Sequence, residues 1–216
     1  MHVSEVVLSG SASGQMVLGA GMVLAAAGTA VGLRKLDYER IPQVAVLSSA
    51  FFVASLIHVP GPVAVHLVLN GLMGLVLGWA AFPAILIALL LQALFFQFGG
   101  LTAVGINTVI MALPAVACYY LFHRAVRRSG EMVAMFAGLA AGTSGVFLAS
   151  LLAATALYLA GQQFAVLGHL AILENLPVAA IDGLVTATTV VFLRKVRPEL
   201  LAAPLLASAR PEPPRA

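Results

Sequence analysis

Charged residues and cysteines are scarce in this chain of 216 residues. Only 9% of its residues are charged and 62% are hydrophobic, whereas soluble domains carry about 25% charge. A soluble fold could not bury so much apolar surface, so the composition excludes one and predicts that lipid surrounds the chain. The single cysteine, Cys118, excludes a disulfide framework within the chain.

Several functional signals are also missing. The sequence has no H-E-x-x-H motif and no nucleophile–base arrangement, so we do not expect an enzyme. The pI is about 9.4, but the chain has only 11 basic residues, and their placement argues for membrane orientation rather than nucleic-acid binding. Residues 1–15 contain no Lys or Arg, so no cleavable secretory signal is expected.

What the chain does have is a series of long apolar segments. A helix needs about 20 residues to cross a bilayer core of about 30 Å. We predict an all-α, polytopic membrane protein with one domain over residues 1–201 and a disordered cytoplasmic tail, rich in Ala and Pro, over residues 202–216. The seven predicted transmembrane helices are residues 15–33, 41–58, 64–78, 81–97, 103–123, 132–160 and 175–193.

The basic residues follow the first, fifth and seventh predicted helices. The positive-inside rule then predicts an N-terminus outside the cell and a C-terminus in the cytoplasm. An odd number of crossings agrees with that orientation. The basic residues are Arg34, Lys35, Arg40, Arg124, Arg127, Arg128, Arg194, Lys195, Arg197, Arg210 and Arg215.

The first two residues, Met1 and His2, place three nitrogen donors within one chelating reach. The α-amine, the His2 amide and the His2 imidazole Nδ1 can bind one metal ion in a plane, provided that the N-terminus is uncleaved and unblocked. A planar nitrogen set suits Ni(II), Cu(II) or low-spin Co(II) better than Zn(II). We choose His66, an imidazole between two apolar stretches, as the fourth nitrogen.

Four polar residues, His58, His66, Glu5 and Asp182, each have two interpretations. His66 itself fits a hydrogen-bonded structural histidine, and His58 is either an interfacial residue or a reserve ligand. Glu5 either anchors the N-terminus or orients an imidazole. Asp182 either lines a cavity or bonds a neighbouring helix. Small residues spaced four apart on the first helix suit internal packing or docking of another membrane protein.

Four segments together resemble one family. They are Met1-His2 with Glu5, VHLVLNGLMG (65–74), LLLQALFFQFGGLTAVGINTVIMALP (89–114) and NLPVAAIDGLVTATTVVFLRKVRPELL (175–201). These segments are similar to the CbiM/NikM family, the membrane substrate-binding components of energy-coupling-factor transporters for cobalt and nickel. The resemblance covers residues 1 to about 201, and its most specific stretch is the block with Q-A-L, G-G-L-T and G-x-N.

The resemblance implies a seven-helix protein whose N-terminal segment inserts into the bundle from outside. It implies that the metal is held by the Met1 amine, the His2 amide and imidazole, and the histidine that aligns with His66. Asn107, at the G-x-N position, is expected near the site, and His58 stays in reserve. The chain departs from the family pattern at Val6, where Gly is common, and at Asp182, where Glu is common.

The resemblance also implies a function and partners. The chain would capture Co(II) or Ni(II) as transported substrate at the outer face of a bacterial or archaeal cell membrane, for ATP-driven import that serves cobalamin biosynthesis. Its expected partners are a membrane coupling (T) subunit, cytoplasmic ATPase subunits and a small accessory membrane subunit. The chain has no G-x-x-x-x-G-K-[ST] loop, so a partner would hydrolyse ATP. The alternative is a stand-alone permease or channel that uses Asn107, Asp182 and Glu174 as a polar path.

We predict that His2→Ala abolishes binding of Co(II) and Ni(II), and that His66→Ala severely weakens it. An extension before Met1, such as an affinity tag, should have the same effect because it removes the free α-amine. Binding should also depend on pH, since the metal displaces protons from its ligands. Metal analysis of untagged and tagged protein after exposure to equal Co(II) and Ni(II) tests this. Undiminished binding by a tagged chain would contradict the amino-terminal chelate.

Overall fold

The computed structural model describes residues 3–37, 39, 41–56, 58–59, 65–97 and 99–201. These residues form a helical bundle with one small antiparallel ladder, which confirms the all-helical class. The helices are α1 (Glu5–Ser9), α2 (Ala12–Arg34), α3 (Ile41–Ala54), α4 (Asn70–Leu77), α5 (Ala81–Phe96), α6 (Val104–Arg128), α7 (Glu131–Ala160) and α8 (Ala165–Val196); the ladder joins β1 (His58–Val59) and β2 (Val65–His66).

Five helical segments are long and apolar enough to cross a bilayer within the described ranges. They are α2, the segment Asn70–Phe96 that holds α4 and α5, then α6, α7 and the segment Gln162–Val196 that holds α8. Helix α3 is apolar but has 14 residues, fewer than a perpendicular span needs. The structure therefore confirms several membrane-length helices, whereas the predicted count of seven spans and the orientation of the termini stay predictions.

The predicted third helix, residues 64–78, is wrong over its first part. Residues 65 and 66 belong to strand β2, residues 67–69 are not helical, and α4 begins only at Asn70. Helix α4 is eight residues long and passes through a 3₁₀ turn at Gly78–Ala80 directly into α5. A short apolar run does not distinguish a strand from a helix by periodicity, which explains the error.

The start of the last helix also differs from the prediction. Helix α8 begins at Ala165, ten residues before the predicted start at residue 175, and it contains Pro177. Polar side chains in the first part of α8 have partners within the helix. The His169 imidazole lies 2.8 Å from the Ala165 carbonyl, and Asn175 donates to the Ala171 carbonyl at 2.6 Å.

Glycines on α2 allow the helices of the bundle to pack closely. Gly21 faces the backbone of Ile106 on α6, and Gly28 faces the ring of Phe82 on α5. A β-carbon at position 21 would lie only 2.6 Å from the Ile106 Cα. These small residues of the first long helix therefore serve packing within the chain.

We expect Gly21→Ala to lower the free energy of unfolding by about 1–3 kcal/mol, because the added methyl group must displace the α6 backbone. Gly19→Ala is the matched control on the same helix, since a β-carbon there meets no atom within 4 Å. Thermal unfolding in detergent measures both variants. Equal midpoints for the two would contradict the tight α2–α6 contact.

Candidate metal-binding site

Two reciprocal hydrogen bonds, here called the Val3 clasp, attach the N-terminal segment to the first turn of α6. The Val3 N–H donates to Oδ1 of Asn107 at 2.9 Å, and Nδ2 of Asn107 donates back to the Val3 carbonyl at 3.1 Å. Both residues are buried. A single asparagine side chain thus satisfies both backbone polar groups of residue 3, in the way that a neighbouring strand would.

A second anchor lies at Glu5. Its backbone N–H donates to the Gly99 carbonyl at 2.8 Å, and its Oε2 accepts from the Thr102 hydroxyl at 2.7 Å and the Thr102 N–H at 3.0 Å. The two Thr102 donors stabilise the charged carboxylate and lower the pKa of Glu5. Gly100, at φ 86°, lies against this carboxylate, where a β-carbon would clash. These contacts favour the anchoring interpretation of Glu5.

The turn between α1 and α2 is attached to the end of α7. The hydroxyls of Ser11 and Ser13 donate to the Ala160 carbonyl at 3.0 and 2.6 Å. Leu8 is fully buried, and its carbonyl lies against Gly14 of α2. The N-terminal segment is therefore held at the end of the bundle where α7 finishes and α6 begins.

His66 is buried in the short ladder. Strand β2 pairs antiparallel with β1, and its register sets His66 opposite His58. The Nδ1 atom of His66 lies 3.0 Å from the Leu67 carbonyl. Because a carbonyl only accepts, this contact assigns the proton to Nδ1 and the lone pair to Nε2 in the neutral ring. Histidine ligands of metals in proteins commonly donate their other N–H to a backbone carbonyl in this way.

Two buried polar side chains bind the segments that flank the ladder. Oδ2 of Asp182 accepts from the N–H groups of Val68 and Leu69 at 3.3 and 3.0 Å. On the other side, Nε2 of Gln92 donates to the Ser55 hydroxyl at 2.7 Å, just after α3 ends. Sequence reasoning left the role of Asp182 open and assigned none to Gln92, because neither residue lies near its partner along the chain.

Besides His66, the predicted ligands are Met1, His2 and the reserve ligand His58. Met1 and His2 lie outside the described residues, so their part in the site stays a prediction. The backbone of His58 is placed opposite His66 by the ladder. Among the residues that the structure describes, no three His, Cys, Asp or Glu side chains are grouped as metal ligands.

Membrane-length apolar helices around a docked N-terminal segment define a multi-pass helical membrane protein. Residues 2–200 match the family profile of CbiM, described as the cobalt uptake substrate-specific transmembrane region. The chain belongs to this CbiM family.

Curated relatives and solved structures agree with that assignment. A candidate metal transport protein of Haemophilus influenzae is 45% identical over 204 residues, which cover 93% of this chain and 97% of the relative. The fused nickel transport protein NikMN of Rhodobacter capsulatus is 36% identical over 84% of this chain and 59% of its own length. The cobalt transport protein CbiM of Sorangium cellulosum is 34% identical over 74% of this chain and 76% of its own. A crystal structure of a transition metal transporter shares the fold, with a TM-score of 0.67 and 23% identity over 91% of this chain and 93% of that one.

We expect Asn107→Leu to release the N-terminal segment, because the variant keeps a side chain that branches at Cγ but loses both bonds to Val3. Because two hydrogen bonds are lost, we expect the amides of residues 3–9 to exchange with solvent at least about tenfold faster than in the wild-type chain. Thr108→Val is the matched control, since in the described part of the chain the Thr108 hydroxyl bonds the Val104 carbonyl of its own helix. Hydrogen-exchange mass spectrometry measures the effect, and unchanged protection in Asn107→Leu would contradict the clasp.

Proposed function

We propose that this chain is the substrate-specific component of an energy-coupling-factor transporter and captures Co(II) or Ni(II) at the outer face of the cell membrane. The observation that carries the proposal is the clasp between Val3 and Asn107. It fixes the chain two residues from its amino terminus, inside a bundle that also buries His66. Two residues of extended chain span at most about 7 Å, so donors from Met1 and His2 would have to bind the ion within that distance of Val3.

The proposed ligands are the Met1 amine, the His2 amide and imidazole, and Nε2 of His66. The bond from Nδ1 of His66 to the Leu67 carbonyl supports the choice of Nε2, since it leaves the lone pair on that nitrogen. His58 is the reserve ligand, because the ladder sets it opposite His66. Four nitrogen donors suit both Co(II) and Ni(II), so selection against Cu(II) must come from geometry and rigidity rather than raw affinity.

The distribution of basic side chains supports the proposed orientation. Helix α6 has 25 residues and is about 37 Å long; it carries the Val3 clasp in its first turn and ends at Arg128. At the far end, Arg194 donates to the Ser129 carbonyl at 2.7 Å, and Lys195 pairs with Glu131 at 2.8 Å. The positive-inside rule assigns this basic end to the cytoplasm, which leaves the N-terminal segment outside. The proposed partners are a membrane coupling (T) subunit, cytoplasmic ATPase subunits and a small accessory membrane subunit.

We expect vesicles that contain this chain with coupling and ATPase subunits to take up radiolabelled Co(II) or Ni(II) only when ATP is supplied to the ATPases. His66→Ala should reduce uptake to background, because it removes one ligand. His169→Ala is the matched control, since this exposed histidine contacts the Ala165 carbonyl of its own helix.

ATP-independent uptake by the chain alone would contradict the coupled mechanism and support the stand-alone permease. Equal uptake by His66→Ala and the control would contradict the site itself.

A further inference from the structure

The segment that joins His66 to α4 is held by one carboxylate. Asp182, in the middle of α8, is completely buried. Its Oδ2 accepts two backbone N–H groups, from Val68 and Leu69, and these are the hydrogen bonds of this side chain in the described part of the chain. Both donors lie within three residues of His66.

This arrangement is costly to maintain. A buried carboxylate loses its hydration, and two backbone donors replace only part of it. Oδ1 of the same carboxylate is buried and has no hydrogen-bond partner among the residues that the structure describes. Leu69 is also held at φ 54°, a left-handed conformation that a leucine rarely adopts. Local strain and incompletely satisfied buried charge persist where the surrounding structure over-determines them, and they concentrate at functional sites.

The bonds connect Asp182 to the orientation of the His66 ring. Fixing the N–H groups of Val68 and Leu69 fixes the peptide units on both sides of Val68, and the first of these carries the Leu67 carbonyl. That carbonyl lies 3.0 Å from Nδ1 of His66. A displaced 67–69 segment would therefore move the acceptor that sets both the direction and the tautomer of the imidazole.

We propose that Asp182 is a positioning residue for metal capture: it holds the 67–69 backbone so that the His66 imidazole presents Nε2 to the ion. The inference rests on the proposed function. Partners that orient a metal-binding histidine are typically worth about tenfold to hundredfold in metal affinity. Asp182 would act through His66 and would not itself contact the metal.

A double-mutant cycle on the untagged full chain tests this by titration with Ni(II) in detergent. Asp182→Ala should weaken binding about tenfold to hundredfold and shift the Ni(II) absorption spectrum to that of His66→Ala. In the His66→Ala background, Asp182→Ala should cause no further loss, because its effect passes through the missing ring. Asp37→Ala is the matched control at the other aspartate of the chain, which is exposed.

Two additional variants keep the test decisive if Asp182→Ala does not fold. Asp182→Ser shortens the side chain, so its hydroxyl cannot reach both N–H groups, and it should reproduce the loss. Asp182→Asn keeps an acceptor oxygen and should retain the wild-type spectrum. Additive losses in the cycle, or wild-type affinity in Asp182→Ala, would overturn the inference while leaving the proposed function intact. Failure of the wild-type chain to bind Co(II) or Ni(II) would instead overturn the proposed function.

Discussion

The docking of the N-terminal segment depends on one reciprocal pair of hydrogen bonds, between the backbone of Val3 and the side chain of Asn107. Ordering a chain end costs about 1–2 kcal/mol per residue in backbone entropy. Hydrogen bonds in a low-dielectric interior, together with the burial of Val3 and Leu8, offset that cost. Because the clasp engages backbone atoms, it sets the path of the chain largely independently of the side chain at position 3.

Non-helical backbone within a membrane protein needs internal partners, because lipid offers none. The chain has two such segments at the proposed site: the N-terminal residues and the ladder with its 67–69 extension. Each is satisfied by polar side chains on the long helices, Asn107 on α6 for one and Asp182 on α8 for the other. The helices act as a rigid frame, and these side chains position the irregular segments on it.

The long helices were predictable because each hydropathic segment is long and clearly bounded. The predicted helix at 132–160 differs from α7, Glu131–Ala160, by one residue at its start. The errors occur where polarity misleads or where the apolar run is short. The stretch between the predicted helices 132–160 and 175–193 is helical from Ala165 onward, and the His169 imidazole contacts a carbonyl within that helix. The run around His66 forms a strand and a non-helical segment, where Asp182 binds the backbone N–H groups of Val68 and Leu69.

The amino-acid order alone determined the lipid environment, the family resemblance and the identity of His66 and Asn107 as candidates, since these depend on composition and local motifs. Only the tertiary structure decided how Asn107, Glu5 and Asp182 act. Their partners lie 104, 97 and 114 residues away along the chain. Hydrogen bonding requires approach within about 3 Å, and only the packing of whole helices brings such distant residues that close.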